Sequence, residues 1–115
     1  MAISEAYSGS ETVSTTEHSL TTDTSGPDVD TNDGVYQVFL DLSALAAGDV
    51  FVFKAYEKVL SSSTQRLAYV ATFSGVHAQP VWVSPSLILL HGWDMTLDKV
   101  SGTDRNIDWS IRKVA

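Results

Sequence analysis

Trp93-Asp94-Met95-Thr96-Leu97-Asp98 and Ile107-Asp108-Trp109-Ser110-Ile111-Arg112 decide the fold. In both stretches large apolar residues alternate with polar ones, the period of a strand with one face in a core and the other in water. Between them Ser101-Gly102-Thr103-Asp104-Arg105 is turn chemistry. The pattern predicts a terminal hairpin with Leu97 opposite Trp109 and Met95 opposite Ile111, all facing inward. Trp93 and Trp109 are then core residues.

The same period extends upstream. Tyr36, Val38, Leu40 and Leu42 share one strand face, with Gln37 and Asp41 on the other. Residues 43–48 are small and alanine-rich, enough for one helical turn at most. Residues 49–60 and 64–73 read as a second hairpin around Ser61-Ser62-Ser63. Its register places Phe51 opposite Phe73, Phe53 opposite Ala71 and Ala55 opposite Tyr69, which lines up apolar groups on one face. Pro80 and Pro85 divide the next region into short strands, 78–83 and 86–91. No helical periodicity of useful length and no repeat interrupts this. The expected fold is all-β: an antiparallel β-sandwich or jelly roll with a Ser/Thr-rich N-terminal arm.

The composition changes near Gly34. Residues 1–34 are rich in Ser and Thr, with Tyr7 their only aromatic. They carry Glu5, Glu11, Glu17, Asp23, Asp28, Asp30 and Asp33 and no Lys or Arg, which accounts for the whole net charge of −7. Such a segment buries little apolar surface by itself. It is expected to be an acidic arm or a pair of edge strands, 2–7 and 11–20, with Ile3, Tyr7 and Val13 as its contacts. Residues 35–115 form the sandwich core of what is one domain overall.

Composition also excludes classes of function. There is no cysteine, hence no disulfide, thiol nucleophile or thiolate metal site. An acidic front and a neutral remainder disfavour phosphate, so no nucleic-acid partner is expected. No run approaches the ~20 apolar residues that span a bilayer, and the N-terminus has no basic start or apolar signal core. A soluble protein assembled in a cytoplasm is expected, with no membrane partner.

No catalytic pattern stands out. His18, His77 and His91 lie far apart in sequence and form no chelating pair, which suits surface or turn histidines. Asp28-Val29-Asp30-Thr31-Asn32-Asp33-Gly34 has the look of a calcium loop. Counted from Asp28, the sixth and twelfth positions are Asp33 and Phe39, where an EF-hand needs Gly and Glu. Asx-turn residues leading into the first core strand are the better reading. No G-x-S-x-G elbow is present, and Asp41 and Glu57 sit on strands where a solvent-facing role suffices. No enzyme activity, cofactor or metal is expected.

One anomaly points to function. Val50, Val52, Tyr56, Ala68 and Val70 make the outward face of the middle hairpin apolar, and 81–90 has no polar face at all. A small sandwich has one interior, so strands apolar on both faces need cover from the N-terminal segment or from another chain. Val50, Val52, Tyr56, Val70, Trp82, Ile88 and Leu90 are the expected interface for an oligomer or a partner. Trp82 is open between core and interface anchor, with a carbohydrate platform as a further use.

From Asp33 onward the chain resembles small β-proteins encoded among the head and tail structural genes of tailed bacteriophages. The residues carrying this are Asp33-Gly34-Val35-Tyr36-Gln37-Val38-Phe39-Leu40-Asp41-Leu42, Tyr56-Glu57-Lys58-Val59, Gly102-Thr103-Asp104-Arg105 and Trp109-Ser110-Ile111-Arg112. The resemblance implies a capsid decoration, or cement, protein. Its implied partners are the major capsid protein and itself, as a homotrimer, and its implied location is the outer surface of the virion head. A tail or neck component and a carbohydrate-binding module of a fibre are the alternatives.

Overall fold

The computed structural model describes residues 2–114; Met1 and Ala115, the outermost residues of the two segments, lie outside the described residues. The chain is an antiparallel β-sandwich. Its strands are β1 (Ile3–Val13), β2 (His18–Ser19), β3 (Thr24–Ser25), β4 (Gly34–Asp41), β5 (Val50–Glu57), β6 (Arg66–Ser74), β7 (Val81–Val83), β8 (Leu87–Leu89), β9 (Trp93–Ser101) and β10 (Arg105–Val114). Sheet A runs β1-β10-β4, with β7 and β8 both on the far side of β4; sheet B runs β3-β2-β9-β5-β6.

Alternation places the core as the sequence predicts. Tyr36, Val38 and Leu40 of β4 and Ile107, Trp109 and Ile111 of β10 face inward from sheet A. Phe51, Phe53 and Ala55 of β5 and Trp93, Met95 and Leu97 of β9 meet them from sheet B. The β5–β6 register is the expected one, Phe51 to Phe73, Phe53 to Ala71 and Ala55 to Tyr69, and shifts by one residue beyond Ala55.

The terminal hairpin does not form, and this corrects the strongest expectation from the sequence. β9 pairs with β5 on one side and β2 on the other, while β10 lies between β1 and β4. The two strands face one another across the core, so Leu97 and Trp109 are both inward without being partners. Alternation specifies which face is buried and leaves the neighbour open.

A carboxylate fixes the corner where the chain leaves sheet B for sheet A. Buried Asp49 accepts the Thr103 N–H at 3.0 Å, the Ala46 N–H at 2.9 Å and Arg105 Nε at 2.7 Å. Gly102 has φ +93° and its Cα lies against Asp49, where a Cβ would not fit. The Thr103 and Ala46 amides, with Arg105, hold the Asp49 carboxyl down to about 2. A depressed carboxyl stabilises the fold above its ordinary value of 3.8, and the contribution disappears as pH falls through about 2. Asp49→Asn is therefore expected to be less stable than wild type at neutral pH and to lose less on acidification. Thermal melts at a series of pH values down to about 2 check this. Parallel curves for the two proteins would remove Asp49 from the acid response.

The N-terminal segment is built into both sheets. In place of separate strands at 2–7 and 11–20, one strand, β1, pairs with β10 from Ile3–Val114 to Val13–Arg105, with an irregularity between Glu5 and Tyr7. Gly9 is required there, because a Cβ would stand 2.5 Å from Cζ2 of Trp109. The chain then enters sheet B as β2, bringing Leu20 into the core. The Leu20 carbonyl accepts the Trp109 indole N–H at 3.0 Å, which ties the two sheets together.

Candidate interaction surface

The expected interface residues do not form one patch. Val13 is fully buried in the core. Tyr7 points inward, edge-on to Trp93, with its hydroxyl donating to Asp30. Trp82 packs on Phe53 and Phe73, with ring centroids 5.4 and 5.0 Å away, so it plugs the chain's own core. Val52 is buried on the outer side of sheet B. Tyr7 and Val13, the expected arm contacts, make their contacts within the chain, while Trp82 and Val52 are corrected from interface to internal packing. They had drawn attention because a strand flanked on both faces shows no polar side in sequence.

Part of the apolar outer face of sheet B is covered by the chain itself. Glu17 accepts the Tyr56 hydroxyl and the Thr96 hydroxyl, each at 2.5 Å. Asp94, expected in solvent, is fully buried. It accepts the Asp28 amide at 2.7 Å and the Thr21 hydroxyl at 2.8 Å. Burial pushes its carboxyl up, against the pull of those donors. Thus 14–30 supplies an acceptor, the Glu17 carboxylate, to β5 and β9 and donors, the Thr21 hydroxyl and the Asp28 amide, to Asp94 of β9, and Tyr56 belongs to this cover. Val50 is half-buried and Val70 exposed on the same side.

His18 was missed as a structural residue. Its ring is buried edge-on to Trp109, with centroids 5.6 Å apart. Nε2 lies 2.7 Å from Asp23 Oδ1, while Nδ1 lies 3.8 Å from Glu11 Oε2. These groups are close enough to suggest a metal triad. The two carboxylates address opposite ring nitrogens, an arrangement that clamps the imidazole from both sides. The calcium-like loop is likewise internal: Asp30 accepts the Asn32 amide at 2.7 Å as an Asx turn, and Asp28 accepts the Thr22 hydroxyl at 2.6 Å.

The outer face of sheet A carries the candidate surface. Pairing places Ile3 beside Val114, Val114 beside Val35 and Val35 beside Ile88, an aliphatic row crossing β1, β10, β4 and β8. Ile3 is 67% and Ile88 81% exposed. Deeper along the face Phe39 pairs with Val83, and Val81 follows at the edge. The Arg112 guanidinium lies 3.8 Å above the Phe39 ring, a stacked cation that divides the face into two depressions of about 190 Å³ each. That volume takes a protruding side chain better than a small-molecule ligand, whose sites run to roughly 300–1,000 Å³.

Charge on this face is mixed. Glu5 accepts the Ser110 hydroxyl at 2.6 Å, and with Ser8 and nearby Arg112 this lowers its carboxyl. Asp41 and Asp108 pair across β4 and β10 at the far end. Of the expected residues, Ile3 and Ile88 belong to this surface. Leu90 is exposed just beyond β8, where its amide donates to Glu57 at 2.6 Å. Val81 and Val83 fall in the stretch 81–90 that the sequence marks as apolar on both faces, whereas Val35, Phe39, Arg112 and Val114 were missed. The signal was present for β4, where Val35 and Phe39 break the polar run of its outward face. Among the described residues there is no helix long and apolar enough to cross a membrane. No protein-family model, curated protein or solved structure matches this chain.

Proposed function

We propose that this chain is a non-enzymatic docking protein that seats the outer face of sheet A on another protein, as a decoration protein does on the head shell of a tailed bacteriophage. The observation that carries the reading is the aliphatic row of Ile3, Val114, Val35 and Ile88 across four strands, exposed at all but half-buried Val35. A rigid sheet presents such a row without ordering cost, and each aliphatic side chain fully buried contributes roughly 1.5–3 kcal/mol. Seated across a boundary between capsomers, the face would add buried area to both and slow their separation. The resemblance of 33–115 to phage head and tail proteins gives the partner, the major capsid protein, and the location, the outside of the virion. The carbohydrate reading loses support because Trp82 is packed on Phe53 and Phe73.

Heads of the phage that encodes the chain, prepared without it, test the proposal by co-sedimentation. Wild type is expected to bind and to raise the temperature at which the heads open. Ile88→Asp, on an exposed site that leaves the core intact, is expected to weaken binding by about 10- to 100-fold. Folded wild type that fails to sediment with heads would overturn the head reading, and its recovery with tails would replace it by the tail alternative.

A further inference from the structure

We propose that two copies of this chain join through β6, edge to edge and antiparallel, across a twofold axis. Each sheet edge is a row of unpaired backbone donors and acceptors, and edges left open are templates for another strand. The other edges are blunted. β1 carries Glu5 and Glu11 and an irregularity between Glu5 and Tyr7. β7 and β8 have three residues each, with Pro85 between them, and β3 has two. β6 runs for nine residues and ends sheet B. The shift beyond Ala55 leaves Ala68 out of register, so the flat part is Tyr69-Val70-Ala71-Thr72-Phe73-Ser74, with no charge, proline or glycine.

The direction of its hydrogen bonds follows from the pairing. Gly75 donates to the Asp49 carbonyl at 2.9 Å, and Phe73, Ala71 and Tyr69 continue that series opposite Phe51, Phe53 and Ala55. In an antiparallel pair the N–H and C=O of one residue point the same way, alternating along the strand. Tyr69, Ala71 and Phe73 therefore address β5, while Val70, Thr72 and Ser74 present their backbone outward. A twofold through Thr72 sets it opposite Thr72 of the second copy and sets Val70 opposite the second copy's Ser74. Each outward residue then both donates and accepts, and exposed Val70, which stands opposite Lys54 of its own β5, adds apolar area to the joint.

A second copy is the occupant because an antiparallel edge complements itself under a twofold. The joint is uncharged, so chains of net charge −7 bring no like charges together there. One open edge per chain closes the assembly at two and stops a fibre. A twofold strand joint cannot build a threefold ring, so the dimer stands in place of the trimer implied by the resemblance. It leaves the outer face of sheet A free and does not depend on a phage shell.

Light scattering on the full chain across a dilution series tests the pairing. Wild type is expected at twice the chain mass of 12.4 kDa. Thr72→Pro removes an outward N–H without touching the bonds to β5. Val70→Lys puts a charge on the joint at an exposed side chain, so it reports even if the proline variant misfolds. Both are expected to raise the dimer dissociation constant by at least about a hundredfold while keeping a cooperative melt. Wild type that is monomeric throughout, a trimeric mass, or a dimer that survives Val70→Lys would each overturn the proposal.

Discussion

Deleting residues 1–13 is expected to abolish the cooperative unfolding transition of the purified protein. An acidic, Ser/Thr-rich segment looks dispensable, yet β1 pairs with β10 along its whole length. It contributes Val13 to the core and sets Tyr7 against Trp93. Removal would open β10 on the side where Trp109 lies beneath Gly9 and would strip the inner edge of Trp93. Buried Val13 at roughly 1.5–3 kcal/mol, half-buried Tyr7 at less and the lost strand ladder together consume much of a total stability of about 5–15 kcal/mol. Near-UV circular dichroism and a thermal melt decide the matter. A truncated protein melting sharply within a few degrees of wild type would show that 1–13 is an independent arm.

Trp93→Ala is expected to destabilise the fold by about 3–5 kcal/mol, measured by denaturant unfolding. Trp93 is fully buried where the sheets and the N-terminal segment meet. Its ring lies 4.6 Å from that of Tyr36 and 6.1 Å from that of Tyr7. Its indole N–H donates to the Asn32 carbonyl at 3.0 Å, and its backbone exchanges bonds of 2.7 and 2.9 Å with Asp30. Alanine would leave a cavity and remove one of the two donors to the Asn32 carbonyl, which keeps the Tyr36 hydroxyl at 2.6 Å. Trp82→Ala, at a half-buried ring on the end of the core, should lose less. Equal losses at the two sites would deny Trp93 its place as the hub.

The sequence made the core legible because strand periodicity is local. Phe51, Phe53, Trp93, Leu97, Ile107 and Trp109 all turn inward as their spacing requires. The β5–β6 register was also readable, since only one pairing lines up the apolar groups of both strands on one face. The candidate surface was only half legible. Ile3 and Ile88 stand on it, but Val114 and Val35 join them through pairings between strands far apart in sequence.

What the sequence determined by itself was an all-β chain, the inward face of each core strand, the turns and the excess of apolar residues over one interior. Apart from the β5–β6 pair, the tertiary structure decided partners. It put β9 and β10 in different sheets, although turn chemistry joins them, because each already has two neighbours. It buried Asp94 beneath a polar segment that supplies its donors, and it drew Trp82 into the core. The physical reason is one of range. A side chain's face follows from the geometry of its own strand, whereas its neighbours follow from contacts that close only when the whole chain has folded.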